Sequence, residues 1–327
     1  MSLVMPLSSG VSRVHTITLP LPFRLKAVNL YLLEDCEGHI LIDAGVNTPE
    51  ASDALDEALR DLDVRWESIH TVFITHYHSD HCGLAALVRK RSRAAVYMAR
   101  EDFNLLRTFE RRPDTMVGPE GFYVEHGMPR KMVGMLGAAT ALLMDAIVPF
   151  RPDRFYRHGE VIARQPFRFL PLHTPGHTVG HTCLFEKNSG LLFSGDHVLD
   201  PITPNISACP ANPLTNPLGS YLRSLSGLVG LKVSRTLPGH GNPIVDLNGR
   251  IRSIHVHHED RTRRVLEALD AGAGDAFTVS LVIFGDDLDL LERWMAFQEI
   301  LAHLVWLEDE GRVARTMEGT RVCFRAA

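Results

Sequence analysis

The stretch FITHYHSDHCG, Phe73–Gly83, sets three histidines and an aspartate directly behind an apolar run. Packing gives no reason to crowd His76, His78, Asp80 and His81 together, since imidazole and carboxylate lose hydration on burial. Just before them, TVFIT (Thr71–Thr75) reads as a short, fully apolar strand. A loop at the end of such a strand lets a rigid scaffold hold several donors around a hard or borderline cation. Four donors in so short a span could bind one metal by themselves, and the rest of the chain suggests two. His177 lies in TPGHTVGH, Asp196 in FSGDHV and His240 in LPGHG. Each follows an apolar strand and a glycine, whose missing side chain lets the backbone approach a metal closely at a tight turn.

Around these donors, apolar stretches alternate with turn signals. HTITLPL, VNLYLLED and HILIDAG read as a strand and the start of a hairpin, and Thr48-Pro49 as the cap and first turn of an amphipathic helix carrying Leu55, Leu59 and Leu62. The helix GLAALVRK and the strand AAVYMA follow the histidine loop, which makes the core α/β. Residues 101–150 mix arginines and acids with internal glycines and prolines and read as an insertion near the pocket. Strands return at FRFLPLHT, TCLFE, GLLFSG and SRTLPGHG, with a helix near Gly219–Val229. After about Leu247 the pattern is helix, short strand, helices, then a hairpin turning at Glu318-Gly319, the outline of a winged helix.

With 327 residues, two domains are the leading expectation. A net charge of -5 gives no general pull toward nucleic acid or an anionic membrane. Five widely spaced cysteines without a C-x-x-C pair argue against a disulfide framework or a structural zinc knot and fit a reducing, cytoplasmic setting. The N-terminus lacks a basic segment ahead of an apolar one and does not read as a signal peptide. The apolar run Met132–Met144 is thirteen residues long, short of the roughly twenty that span a bilayer, so no membrane partner is expected.

Together, THYHSDHCG, TPGHTVGH, SGDH and PGHG, in this order, resemble the metallo-β-lactamase-fold hydrolases over most of residues 15–246. Within that family the motifs are similar to those of hydroxyacylglutathione hydrolases of the glyoxalase II type. The tail, above all EILAHLVWLEDEGRV, resembles the winged-helix extension of the subgroup named for β-lactamase-like protein 2. The resemblance implies a four-layer αβ/βα sandwich over residues 1–247 and a small winged-helix domain over 248–327. It implies one metal on His76, His78 and His177, a second on Asp80, His81 and His240, and Asp196 as the bridge. Two divalent cations are expected, zinc first, with iron or manganese also compatible with mixed His/Asp donors. A hydroxide bridging them would attack an ester, thioester or lactone-type carbonyl, and Asp80 would accept and return the proton. Asp43, in LIDAG, matches a supporting aspartate of the family, with Ala44 where threonine is common.

For substrate contacts the sequence offers Tyr77 between two ligands, Thr203 and Asn205 in PITPNIS, and Tyr221 on the later helix; each has a packing role as its alternative. Phe103, Leu105, Leu106, Phe109, Phe122 and Tyr123 in the insertion would suit a small, partly apolar acyl substrate. His173, His181 and His197 fit strand or turn hydrogen bonds, Cys82 a core position, and His255, His258 and Glu259 domain packing in preference to a further metal cluster. Two other functions compete. A metal-dependent RNA or DNA phosphodiesterase would want a basic track, and none is found. A winged-helix DNA-binding regulator is disfavoured because residues 250–327 carry ten arginines, no lysine and fourteen acids. Trp294, Phe297 and Trp306 are expected to brace the catalytic domain or the interface of a homodimer.

Overall fold

The computed structural model describes residues 2–7, 10–22 and 24–327, with the backbone alone at 2–7, 10–12, 138–139 and 141–143. Seven strands form the first sheet in chain order: β1 Ser2–Leu7, β2 Gly10–Pro20, β3 Ala27–Glu34, β4 His39–Ile42, β5 Ile69–Phe73, β6 Ala95–Met98 and β7 Arg154–Phe155. The second sheet holds β8 Ile162–Arg164, β9 Phe167–His173, β10 Thr182–Glu186, β11 Leu191–Gly195 and β12 Arg235–Pro238, ordered β12-β11-β10-β9-β8. A terminal hairpin pairs β13 Val313–Glu318 with β14 Arg321–Ala326. The helices are α1 Pro49–Asp61, α2 Ser79–Cys82, α3 Ala85–Ser92, α4 Arg100–Arg111, α5 Asp114–Val117, α6 Glu120–Glu125, α7 Arg130–Asp145, α8 Pro217–Ser226, α9 Leu247–Asp270, α10 Ala276–Phe284 and α11 Leu290–Asp309.

Strand alternation sorts the apolar side chains into layers. On β3, Tyr31 and Leu33 face the second sheet, meeting Phe169, Leu184 and Phe193, whereas Leu30 and Leu32 face α1 and α3. On the second sheet, Leu191 and Phe193 point inward while Cys183 and Leu192 point out toward the helices beyond. Helices therefore cover both outer faces, giving the four-layer α/β sandwich. The expected cap holds, since Thr48 Oγ1 accepts from Ala51 N at 3.2 Å ahead of Pro49, and the structure adds a capping box of Asp289 and Glu292 on α11.

The tail departs from its sequence outline. No strand lies between α9 and β13 among the described residues; the β-branched run there is α10, capped by Asp275, whose side chain accepts from Thr278 N. That cap and burial between α9 and α11 override the strand preference of the run. The tail is three helices and a hairpin, and it has no core of its own. One continuous cluster runs from Tyr123 and Leu136 through Tyr221 and Leu225 to Phe297, Leu304 and Phe324. Phe297, Ile300, Leu304 and Leu307 are fully buried, so α11, the helix that would enter a DNA groove, is spent on packing. Arg24 pairs with Glu292, and Ala208 N donates to the Gln298 carbonyl at 3.2 Å, tying α11 to the loops of the sandwich.

The insertion also differs from expectation. Leu106, Phe109 and Tyr123 are buried in the core, while Phe103 packs against Phe155 at 5.7 Å. Its arginines are mostly paired at the surface, as Arg107 with Glu110 and Arg130 with Glu120. All five cysteines are free thiols, with Cys82 fully buried. No helix of the described residues is long and apolar enough to cross a membrane.

Candidate metal centre

Loops at one end of the sandwich carry all seven sequence-predicted donors. His76 and His78 follow β5, Asp80 and His81 open α2, His177 lies between β9 and β10, and Asp196 and His240 follow β11 and β12. Three sets have mutually close donor atoms: His76, His78 and His177; His76, His81 and Asp196; and Asp80, His81 and His240. Asp196 stands between the two sides. Its Oδ1 lies 3.3 Å from His81 Nε2 and 3.5 Å from His240 Nε2, while its Oδ2 lies 3.5 Å from His177 Nε2. His240 Nε2 is also 3.3 Å from Asp80 Oδ2, and His76 Nε2 is 3.1 Å from His78 Nδ1.

These donors fit divalent cations. Donor-to-donor gaps of 3.1 to 3.5 Å match the edge of a tetrahedron built on metal–ligand bonds of about 2.0–2.2 Å. His177 Nε2 and Asp196 Oδ1 are buried without a hydrogen-bond partner, a costly state for protein alone and the expected one for atoms reserved for a cation. The far nitrogens are engaged: His81 Nδ1 donates to Asp43 Oδ2 at 2.8 Å, His177 Nδ1 to the Asn205 carbonyl at 2.9 Å and His240 Nδ1 to the Ala27 carbonyl at 2.7 Å. His76 Nδ1 donates to Thr75 Oγ1, which donates in turn to Asp43. With a cation bound, each of these four imidazoles would keep its proton on Nδ1 and turn its Nε2 lone pair inward. Asp43, at φ +60, additionally accepts from Thr75 N at 2.8 Å and so holds both sides of the cluster. Ala44, lacking any side-chain hydrogen bond, contributes its N–H to the His81 carbonyl.

Two of the glycines noted in the sequence act by their bareness. A Cβ on Gly239 would lie 2.6 Å from His81 Cε1 and 2.7 Å from Asp196 Oδ1, inside the cluster. Gly195, at φ +47, would press a Cβ to 2.8 Å from both His181 Nε2 and Thr75 Oγ1. That neighbour, His181, is a supporting residue the motif reading passed over as a local hydrogen bond. It is fully buried, its Nδ1 meets Thr174 Oγ1 at 2.8 Å, and its Nε2 accepts from Asp196 N at 3.1 Å. A signal was present in the sequence, since His181 closes the same TPGHTVGH motif as His177.

Electrostatics divides the centre into two unlike halves. Burial pushes His78 down to about 3 and His76 well below the usual histidine range, and neighbouring imidazoles add to both effects. Burial also works to lower His240, yet Asp196 and Asp80 carry it up to about 10, and the same carboxylates with Asp43 raise His81. Burial opposes ionisation of Asp80 and Asp196, but His81 and His240 override it, bringing Asp80 down to about 2. In the metal-free protein, two protonated imidazoles therefore stand in for positive charge on the carboxylate-rich side.

The proposed substrate contacts fare unequally. Tyr77 is partly exposed, its ring edge-on to His78 at 4.8 Å. Thr203 is half-buried, with Oγ1 3.4 Å from His257 Nε2. Asn205 serves through its backbone carbonyl on His177; its side chain is taken by the Met295 carbonyl and Ser207. Tyr221 requires correction: it is wholly buried and its hydroxyl donates to the His197 carbonyl at 2.9 Å, so it is unavailable to a ligand. His258 and His303, 3.2 Å apart, pack α9 on α11 beside Tyr221, and among the described residues no metal-ligating group forms around them.

The profile described as "Metallo-beta-lactamase superfamily" matches residues 24–240, and one described as "Metallo-beta-lactamase-like, C-terminal domain" matches residues 262–326. The "Probable metallo-hydrolase YqjP" of Bacillus subtilis is 30% identical over 95% of this chain and 97% of its own. The "Beta-lactamase-like protein 2 homolog" of Drosophila melanogaster is 26% identical over 94% and 90%. The crystal structure of the metallo-beta-lactamase family protein TTHA1429 from Thermus thermophilus superposes with a TM-score of 0.84 at 30% identity, covering 96% of this chain and 98% of the other. Matching profiles, relatives along nearly the whole length and a shared fold lead to one conclusion: this chain is an enzyme of the metallo-β-lactamase superfamily, a metallo-hydrolase with the C-terminal module of that family's relatives.

Proposed function

We propose that the protein is a dinuclear hydrolase acting on an acyl carbonyl, with a thioester as the first substrate class and esters and lactones beside it. The observation that carries the dinuclear reading is Asp196, whose two oxygens face the two donor sets from a single carboxylate. Divalent cations held there would lower the pKa of a water toward neutrality and polarise a carbonyl oxygen. Zinc heads the candidates because imidazole predominates among the donors.

The chain's own residues supply the rest. Asp80 has a partly exposed carboxylate, 17% accessible, at the edge of the cluster, where it can take the proton released by the attacking water and hand it to the leaving group. Asp43, Thr75 and His181 hold their neighbours rigidly enough that no reorganisation is needed during the reaction. Three exposed apolar side chains, Leu25, Ile202 and Met295, sit on the segments that anchor His240 and His177. They favour a substrate with an apolar acyl group over a polyanion. A relative named "Atrochrysone carboxyl ACP thioesterase", from Emericella nidulans, is 23% identical over 90% of this chain and supports the thioester preference.

The test is metal analysis of the purified protein beside a panel of thioesters, lactones and phosphodiesters. Two metal equivalents with thioester turnover favoured by kcat/KM are expected. Cleavage confined to bis(p-nitrophenyl) phosphate and RNA would replace this reading with the phosphodiesterase one, and a single equivalent would refute the dinuclear one.

A further inference from the structure

Asp102 lies in the first turn of α4 and is completely buried. Among the described residues no arginine or lysine pairs with it; three donors meet it, each beside a residue of the metal centre. Tyr77 N, between His76 and His78, donates to Oδ2 at 3.0 Å. Thr178 Oγ1, next to His177, donates to Oδ2 at 2.7 Å, and Gly180 N, next to His181, donates to Oδ1 at 2.5 Å. The fit leaves no slack: a Cβ on Gly180 would stand 2.7 Å from Asp102 N and 2.8 Å from its Oδ1.

A buried carboxylate is costly unless hydrogen bonds satisfy it, and here they come from two loops distant in sequence. Those loops bear the three-histidine donor set, His76, His78 and His177. Among the described residues no hydrogen bond links Asp102 to Asp80, His81 or His240; Asp43 supports His81, and the Ala27 carbonyl supports His240. We propose that Asp102 is the positioning residue of the three-histidine side, its carboxylate clamping the His76–His78 loop to the His177 loop. The proposal rests on the two-sided metal centre described above and adds a residue outside the ligand motifs.

In Asp102→Asn, one of the three donors must face an amide N–H, so the loops part. Removal of such outer support lowers metal affinity by about tenfold to a hundredfold. The experiment titrates zinc into metal-free full-length protein against a chromophoric chelator, in the wild type and in Asp102→Asn. It is repeated in a His240→Ala background, which leaves the His76, His78 and His177 side to be read alone. The expected result is one equivalent weakened by that factor beside an unchanged second equivalent in the otherwise wild-type protein, and the remaining equivalent weakened by the same factor in the His240→Ala background. Unchanged binding, or equal weakening of both equivalents alongside a lowered melting temperature, overturns the clamp and leaves Asp102 a packing residue. Should Asp102→Asn fail to fold, Thr178→Val removes one donor and leaves both backbone donors, and the same equivalent must weaken, by less. A wild-type protein with one equivalent counts against the dinuclear reading instead. The clamp is then judged in the His240→Ala background, where unchanged zinc affinity overturns it.

Discussion

Asp43→Asn separates support of the metal centre from support of the fold. In the wild type, Asp43 Oδ1 accepts from Thr75 N and Oδ2 accepts from His81 Nδ1, each at 2.8 Å. An asparagine keeps the shape and tolerates φ +60, but it carries one acceptor and one donor. With its oxygen toward Thr75 N, its amide meets His81 Nδ1, and the imidazole must move its proton to Nε2, the atom facing Asp80, Asp196 and His240. The opposite rotamer sets an N–H against the buried Thr75 N–H, at a cost of roughly 1–3 kcal/mol, so the tautomer swap is favoured. A protonated Nε2 cannot ligate. Zinc affinity on the Asp80, His81 and His240 side should fall by about tenfold to a hundredfold, or about 1.4–2.7 kcal/mol, while affinity on the His76, His78 and His177 side should be unchanged. Asp43→Ala is a poorer probe, because it orphans buried donors and sets alanine at positive φ, which costs about 1–2 kcal/mol more. The assay is zinc content after dialysis against chelators of graded strength, with thermal melts of the metal-free protein as the control for folding. Retention of both equivalents against the chelators that the wild type resists would refute the tautomer argument.

Three further outcomes follow from the geometry. At pH 7 the metal-free protein holds protons on His81 and His240, raised by Asp196 and Asp80, but none on His76 or His78, lowered by burial. Loading the carboxylate-rich side should therefore release about two protons and gain affinity as pH rises, whereas the three-histidine side should release none; calorimetry in buffers of different ionisation enthalpy reads both, and equal release would contradict the division. Tyr221→Phe should cost about 1 kcal/mol of stability by chemical denaturation and leave KM unchanged, since its hydroxyl meets only the His197 carbonyl; a raised KM would restore it as a substrate contact. Gly239→Ala should strip metal from a folded protein, because the added methyl collides with His81 and Asp196; full metal content by elemental analysis would show that the cluster can yield.

The donors were legible because their signals are local: alternating histidines behind an apolar strand, and glycines at strand ends. Asp43 was legible only through the resemblance. Asp102 was not legible at all. In AREDFN it reads as an ordinary acid in the first turn of a helix, and only the approach of Tyr77, Thr178 and Gly180 gives it a role. Tyr221 misled for the same reason, since helical spacing says which face a residue is on but not what covers that face.

The sequence by itself determined which side chains can hold cations, the alternation of strands and helices, and the capped start of α1, since each depends on neighbours a few residues away. Tertiary structure alone decided which nitrogen of each histidine faces inward, that Asp102 ties two loops together, that the run Ala276–Phe284 is helical, and that the tail shares the core of the sandwich. Those outcomes are set by contacts between residues far apart in the chain, where burial and a single well-placed acceptor outweigh local preference.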